Sequence, residues 1–242
     1  MVHFCLNPRQ MKYRKAIAIG VVLVLPVMSY LIVERLSRGA VRMPRRYFPD
    51  SVGMVTVDGK TRPDTQWHRI RPFTLTNQFG RDVSLDEWKG RIIIADFIFT
   101  SCPTVCPTLT RNMKRLQDAF RKTDSLVRFV SFTVDPARDS AARLKAYGDR
   151  FRIDHDTWWM LTGPKSEIYD IALNEFKANI AQAEGVDTGF IHTDKFFLLD
   201  RDRVVRGWYS GLDSVRLDEV IRDVVLLNME RDKKKKRNLF RK

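Results

Sequence analysis

Cysteine is scarce in this chain: three occur among 242 residues, which excludes a small fold held together by many disulfides. Histidine is also scarce, with four residues available as imidazole ligands. No internal repeat is apparent. The remaining composition, 44% apolar and 30% charged, argues against general disorder, and the length suits one domain with appendages.

The formal net charge of +14 is concentrated at the two ends of the chain. The last twelve residues contain eight lysines or arginines and one aspartate, a net charge of +7. Most of the remaining excess surrounds the first hydrophobic segment. We therefore predict that residues 232–242 form a basic tail, either solvated or attracted to anionic lipid headgroups. We expect no nucleic-acid partner, since the basic residues are not interleaved with aromatics on one folded face.

Residues 16–33 form a stretch of 18 residues without a charge. A helix needs roughly 17–25 residues to span a bilayer, so we predict a transmembrane anchor here, preceded by a short segment of residues 1–15. A cleaved signal peptide is the alternative, but Arg35 and Arg38 crowd any cleavage site. Basic residues flank the stretch on both sides, so charge does not indicate its orientation.

The residues after the anchor divide into a linker and a regular domain. Residues 34–66 are rich in Arg, Pro, Gly and Asp, which is typical of a linker, although residues 52–57 favour a small hairpin. Residues 67–231 show regular periodicity that predicts strands at 91–100, 127–134, 158–161, 190–199 and 204–208, and helices at 107–122, 141–151, 166–174 and 214–231. This order predicts an α/β, thioredoxin-like fold: a mostly parallel sheet with an antiparallel hairpin at its end.

Two of the three cysteines, Cys102 and Cys106, lie four residues apart in the sequence SCPTVCP, between a predicted strand and a predicted helix. In a helical turn this spacing places both sulfurs on one side. A helix N-terminus stabilises negative charge, so we expect the pKa of both thiols to be lowered, which favours metal binding and disulfide exchange alike. The pair alone does not separate these two chemistries.

A third candidate ligand, His192, lies just before the predicted strand that ends at Leu199, in the sequence GFIHTDKFFLLD. In a thioredoxin-like topology the start of that strand faces the cysteine turn, so His192 completes a set of two thiols and one imidazole. Such a set suits Cu(I), and also Cu(II) with an extra ligand, whereas structural zinc prefers four ligands. His68 and His155 are more distant candidates that we expect on the surface, and His3 precedes the anchor.

Five motifs in order give residues 72–231 a resemblance to the SCO/SenC family of copper proteins. They are PFTLTNQFGRDVSL, DFIFTSCPTVCPTLTRNM, VSFTVDPARDS, WWMLTG and HTDKFFLLDRDRVV. The resemblance implies that Cys102, Cys106 and His192 bind one copper ion and that the protein assists assembly of the CuA centre of cytochrome c oxidase. The implied partner is the CuA subunit or another copper protein. The family also implies a single-pass anchor, with the globular domain in the periplasm or an equivalent extracytoplasmic space.

Some features of the chain are not settled by this resemblance. Asp135, in VDPARD, is a candidate for a residue beside the copper site, but Asp135-Pro136 is also typical of a helix start, with the aspartate as a plain cap. Thr193 follows the histidine where the family often has serine, and the tail from Lys233 onward has no counterpart in the family.

Two enzymatic functions are alternatives to a copper chaperone. A thiol–disulfide oxidoreductase would cycle Cys102 and Cys106 between dithiol and disulfide, although thioredoxin-type enzymes use CxxC and a proline that residues 189–199 lack. A thiol peroxidase needs a threonine three residues before its cysteine, where this chain has Pro103. A pure docking module would leave the Cys2His set unexplained. The sequence thus favours a copper chaperone over an enzyme, with thiol reduction as the main alternative.

Overall fold

The computed structural model describes residues 8–37, 43–57, 59–123, 126–178 and 193–239. The chain divides into two compact units, residues 1–43 and 44–242. The first contains one described helix, and the second contains all the described strands.

The first unit is built from helix α1 (Pro8–Ser37), which covers the whole uncharged stretch 16–33. Its large apolar side chains between Val21 and Val33 are 48–69% exposed. Within the described part of the chain, however, no helix combines the length and the apolar character needed to cross a membrane. The transmembrane anchor therefore stays a prediction.

The second unit contains nine described strands: β1 (Pro49–Val57), β2 (Lys60–Trp67), β3 (Thr74–Asn77), β4 (Asp82–Ser84), β5 (Ile92–Ile98), β6 (Val127–Thr133), β7 (Trp158–Thr162), β8 (Lys195–Leu199) and β9 (Val205–Ser210). Strands β1 and β2 form a separate antiparallel hairpin, and the other seven form one sheet in the order β4-β3-β7-β6-β5-β8-β9.

Within this sheet β5, β6 and β7 run parallel, whereas the pairings that involve β3, β4, β8 and β9 are antiparallel. The prediction of a mostly parallel sheet is therefore wrong. Buried strands of either direction carry the same apolar residues, so the sequence pattern did not reveal that β8 runs opposite to β5.

The described helices of the second unit are α2 (Val105–Ala119), α3 (Ala141–Arg150), α4 (Lys165–Asp170) and α5 (Ser214–Leu239). Side chains of α2, α3 and α5 pack in one core against one face of the sheet, and α4 packs in a second core on the other face. Successive side chains of β5 alternate between the two: Ile94 and Ile98 belong to the first core, and Ile93 and Phe97 to the second. The cysteines belong to the first core.

Most helices form where their apolar residues recur at helical spacing. On α2, for example, Leu109, Met113 and Leu116 are at most 1% exposed. Helix α3 begins after Ser140, whose hydroxyl accepts the N–H of Arg143 at 3.3 Å. Helix α5 continues to residue 239, so most of the basic tail is a continuation of this helix and not a separate segment.

The globular unit begins earlier than we predicted, because residues 44–66 belong to it and are not a linker. The N–H of Tyr47 donates to the carbonyl of Val205 at 3.0 Å, beside the last strand. The rings of Tyr47 and Phe48 pack against Trp208, with centroids 4.5 and 5.8 Å away. The predicted hairpin is confirmed as β1 and β2. Composition suggested a linker, but these long-range contacts decide the boundary.

Candidate metal centre

The cysteine turn, residues 99–106, joins the end of β5 to the start of α2. Every residue of β5 is buried, so the strand reaches the turn from within the core. The N–H of Cys102 donates to the carbonyl of Phe99 at 3.2 Å. Pro107 lies in the first turn of α2, where a residue needs no intrahelical N–H bond. The predicted strand–turn–helix setting of the two cysteines is confirmed.

The two cysteine side chains are adjacent, as the spacing predicted. The N–H of Cys106 donates to the sulfur of Cys102 at 3.4 Å, and the two thiol groups also interact. Both cysteines are free thiols and both are buried, at 8% and 4% exposure for Cys102 and Cys106. Two soft sulfur donors therefore stand together at a helix N-terminus, an arrangement that suits a soft metal ion.

The two thiols differ in acidity, which the sequence did not predict. Burial opposes ionisation of Cys102, but hydrogen bonds from the backbone of Cys106, Thr104 and Val105 more than offset it and lower its pKa. At Cys106, burial dominates and raises the pKa to about 12. The expectation that the helix N-terminus lowers both pKa values is therefore wrong for Cys106. The deeper burial of this thiol raises its pKa by more than the helix N-terminus lowers it.

Asp96 lies in the middle of β5, beneath the cysteine turn and on the face of the sheet that α2 covers. It is 1% exposed, and neither carboxylate oxygen makes a well-formed hydrogen bond with any described residue. Burial raises its pKa to about 7, and the nearby hydroxyl of Ser131, which accepts the indole N–H of Trp158, compensates only in part. Asp96 also disfavours ionisation of Cys106. Sequence analysis missed this residue, although an acid within the apolar run RIIIADFIFT was a signal for it.

Asp139 is a second buried acid beside the turn, and it has a full set of partners. Its carboxylate accepts the N–H of Thr100 at 3.0 Å, the hydroxyl of Thr100 at 2.5 Å and the hydroxyl of Thr133 at 2.6 Å. Thr100 is the second residue of the cysteine turn, and Thr133 ends β6. Asp139 therefore ties the turn to the neighbouring strand, and sequence analysis missed this role too.

Asp135, the residue that we singled out in the same segment, has a different role. Its carbonyl accepts the N–H groups of Arg138 and Asp139, so it begins a tight turn. Its carboxylate lies 3.5 Å from the exposed guanidinium of Arg138. The helix-cap interpretation is wrong, because α3 starts only after Ser140. A role for Asp135 beside the metal stays a prediction.

His192, the predicted third ligand, lies outside the described residues. The described chain resumes at Thr193, a buried residue whose hydroxyl accepts the N–H of Lys195 at the start of β8. Because β8 runs antiparallel to β5, its first residue lies at the end of the sheet where β5 leads into the cysteine turn. The position of the imidazole stays a prediction.

The two described histidines are occupied by carboxylates. His68 has its ring nitrogens 3.1 Å from Asp50 and 3.2 Å from Glu175, and His155 has Nε2 3.0 Å from Asp149. Both side chains are 17% exposed, so they are less exposed than expected. Over the described ranges, which leave out His192, no three His, Cys, Asp or Glu side chains are grouped to hold a metal ion.

Comparison with known proteins identifies relatives of the second unit. The sequence profile of SCO1/SenC matches residues 61–225. The SCO1 protein homolog of Bacillus subtilis (strain 168) is 39% identical over 167 residues, which are 69% of this chain and 86% of the relative.

Solved structures agree with this sequence similarity. One match is BsSco, which is described as having a disulfide switch and as a member of the Sco family of cytochrome c oxidase assembly proteins. It matches with a TM-score of 0.58 and 39% identity, over 66% of this chain and 94% of its own. Bradyrhizobium japonicum ScoI with copper bound matches with a TM-score of 0.51 and 27% identity, over 64% and 96% of the two chains. The predicted α/β, thioredoxin-like fold is thereby confirmed.

Proposed function

Because the chain belongs to the SCO1/SenC family, we propose that it binds one copper ion through Cys102, Cys106 and His192 and assists assembly of the CuA centre of cytochrome c oxidase. The observation that carries the proposal is the pair of adjacent free thiols at the N-terminus of α2. Its expected partner is the CuA subunit or another copper protein.

The donor set fits copper for chemical reasons. Two thiolates are soft ligands that favour Cu(I), and an imidazole adds a third donor that is compatible with Cu(I) and Cu(II). The lowered pKa of Cys102 makes its thiolate easier to form, whereas copper must displace a tightly held proton from Cys106, since the metal ligand is the thiolate form. Asp139 hydrogen-bonds Thr100 near the start of the turn and so restricts the backbone that leads into the two cysteines.

The test is copper retention by the purified full chain. Loaded with Cu(I) under reducing conditions and desalted, it should keep about one equivalent of metal. Cys102→Ser or Cys106→Ser should abolish tight binding, because a hydroxyl is a poor ligand for a soft ion. His192→Ala should weaken affinity by more than the ~10–100-fold that follows loss of a group supporting a ligand.

His155→Ala is the matched control, since it removes an imidazole that a carboxylate already engages. Copper retention should be unchanged in this variant. If the Cys102→Ser/Cys106→Ser double variant keeps a full equivalent, or if His155→Ala lowers affinity as much as His192→Ala, the assignment of the site is wrong.

A thiol–disulfide oxidoreductase is the second candidate, and the lowered pKa of Cys102 favours it. In this reaction the Cys102 thiolate attacks a substrate disulfide, forming a mixed disulfide and releasing one substrate thiolate. Cys106, once deprotonated, then attacks the Cys102 sulfur, so the substrate leaves as a dithiol and the chain keeps a Cys102–Cys106 disulfide. Two electrons have passed to the substrate, and an external thiol reductant must restore the pair.

His192 distinguishes the two functions, because disulfide exchange needs no imidazole ligand. In cells that lack their own version of this protein, His192→Ala should fail to restore oxidase activity if copper handling is the task. Full restoration by His192→Ala, together with failure of Cys102→Ser, would favour the reductase.

We also propose that residues 16–33 anchor the chain in a membrane, with the globular unit in the periplasm or an equivalent extracytoplasmic space. The uncharged stretch and its helical backbone in α1 support the proposal. The mature protein should keep its first residues and resist alkaline washing of membranes. A soluble product whose first residue is near Val41 would instead indicate a cleaved signal peptide.

A further inference from the structure

The guanidinium of Arg206 joins the beginning of the globular unit to its last helix. Arg206, on β9, is 5% exposed. It donates to the carbonyls of Pro44 at 2.6 Å and Arg45 at 3.1 Å, and it pairs with the carboxylates of Asp200 at 2.9 Å and Glu230 at 3.0 Å. We call these five residues the Arg206 clasp.

The clasp brings together two points that are far apart in sequence. Pro44 is where the chain arriving from residues 16–33 enters the globular unit, and Glu230 lies two residues before the basic tail. The carbonyl oxygen of Pro44 and Oε2 of Glu230 bond the same nitrogen, Nη2 of Arg206, so they lie within about 6 Å of each other. The tail therefore leaves the domain at the place where the N-terminal chain enters.

We propose that the basic tail, residues 232–242, binds anionic lipid headgroups and so forms a second membrane contact, and that the clasp keeps the start of the tail near the point where the N-terminal chain enters the globular unit. The proposal rests on the anchor proposed above. From Ser37 at the end of α1, the chain reaches Pro44 in seven residue steps, at most about 25 Å. If α1 is anchored, Pro44 stays near the bilayer surface, and the clasp keeps Glu230 near it as well.

The length and charge of the tail suit this role. Helix α5 continues from Glu230 to Leu239, a rise of about 14 Å. The helical part of the tail is therefore longer than the distance of about 8 Å over which physiological salt screens a charge. The tail contains seven lysines or arginines and one aspartate, a net charge of +6, and Arg45 and Arg46 lie in the segment that the clasp holds beside the start of the tail. Two basic segments held close together repel each other, and an anionic lipid surface neutralises both.

The test uses the full chain, reconstituted into vesicles and labelled at its C-terminus with a fluorescent donor, with an acceptor on a fraction of the lipids. One set of vesicles contains phosphatidylcholine alone, and the other also contains phosphatidylglycerol. Energy transfer from tail to lipid should be at least about twofold higher in the anionic vesicles, and high salt should remove the difference.

Two sets of substitutions distinguish the effect of the charge on the tail from the effect of the net charge of the whole protein. Changing Lys233, Lys234, Lys235 and Lys236 together to Gln should abolish the response to anionic lipid. The control changes four basic residues of the body, Arg111, Arg115, Arg121 and Lys122, to Gln and should keep the response. Equal transfer in the two kinds of vesicle, or an equal loss in both variants, would overturn the proposal.

The same samples keep this outcome separate from the functions proposed above. Retention in vesicles after alkaline washing reports on the anchor, and copper content reports on the metal site. If the chain is retained and binds copper, but energy transfer from its tail does not respond to anionic lipid, the tail proposal alone is wrong. An acidic protein would then be the partner to seek for the tail.

Discussion

The Arg206 clasp and the interior beneath the cysteine turn both bury ionisable groups, but in opposite ways. In the clasp a guanidinium faces two carboxylates and two carbonyls, so its charge and theirs are paired. Beneath the turn, burial raises the pKa of Asp96, Cys106 and Tyr147. Burial therefore shifts each of these three acids toward its neutral form.

This difference shows how burial affects an ionisable group that has charged or hydrogen-bonding partners and one that lacks them. A buried charge with a complete set of partners fastens segments together, and a buried acid without such a set, such as Asp96, holds its proton to a higher pH than it would in water. Asp139 shows that the first arrangement also exists next to the turn, since three hydrogen bonds reach its carboxylate.

The largest expected effect is a difference in reactivity between the two thiols. In a Cys5→Ser background, Cys106→Ser leaves Cys102 to react and Cys102→Ser leaves Cys106. The pKa of Cys102 lies below the ordinary value of 9.0 and that of Cys106 lies near 12, so the fraction of thiolate at neutral pH should differ by at least about a thousandfold. Because a thiolate of lower pKa is a weaker nucleophile, the rates of alkylation by iodoacetamide should differ by at least about thirtyfold. Comparable rates would show that burial does not suppress ionisation beneath the turn.

Breaking the clasp should have the next largest effect. Arg206→Met leaves two carboxylates without their cation, so the free energy of unfolding should fall by about 3–5 kcal/mol. Denaturant titration followed by tryptophan fluorescence measures it. Arg222→Met is the control, since Arg222 is exposed and its pair with Asp223 should contribute about 1 kcal/mol or less. Similar losses in both variants would mean that the clasp does not fasten the fold.

Asp96 should make the stability of the protein depend on pH. Its folded-state pKa of about 7 lies above the ordinary value of 3.8, so the folded state binds the proton more tightly than the unfolded state does. The contribution of this group is therefore fully present below about pH 4 and is lost as pH rises toward 7, by at most about 4 kcal/mol.

The Asp96→Asn variant tests this expectation, because an amide does not titrate. The difference in unfolding free energy between the native chain and the variant should change between pH 4 and pH 7.5, in favour of the variant at the higher pH. A difference that stays constant over this range would mean that Asp96 ionises normally in the fold.

The smallest expected effect concerns the paired acid beside the turn. Asp139→Asn replaces an acceptor of three hydrogen bonds by a group that accepts fewer, which should cost about 2 kcal/mol of stability and weaken copper binding by loosening the turn. Asp135→Asn, at the other end of the same segment, loses one long ion pair with an exposed arginine and should change stability by less than about 1 kcal/mol. The opposite order would make Asp135 the residue that supports the site.

Local features of the fold and the site were predictable from the sequence. The apolar run of β5 and the helical spacing of Leu109, Met113 and Leu116 gave the strand, the turn and the helix. The four-residue spacing of Cys102 and Cys106 gave their adjacency, because neighbours on one helical turn need no long-range contact to meet.

Tertiary structure decided the rest, since the deciding contacts join distant parts of the chain. The direction of β8 follows from its pairing with β5, about a hundred residues earlier, and residues 44–66 join the domain through Arg206 and Trp208. The acidity of Cys106 is set by how deeply the fold buries it, which no local pattern specifies. The sequence by itself determined that Cys102 and Cys106 meet at the start of a helix, and the packing around the turn determined which acids lie beside them and how tightly each thiol holds its proton.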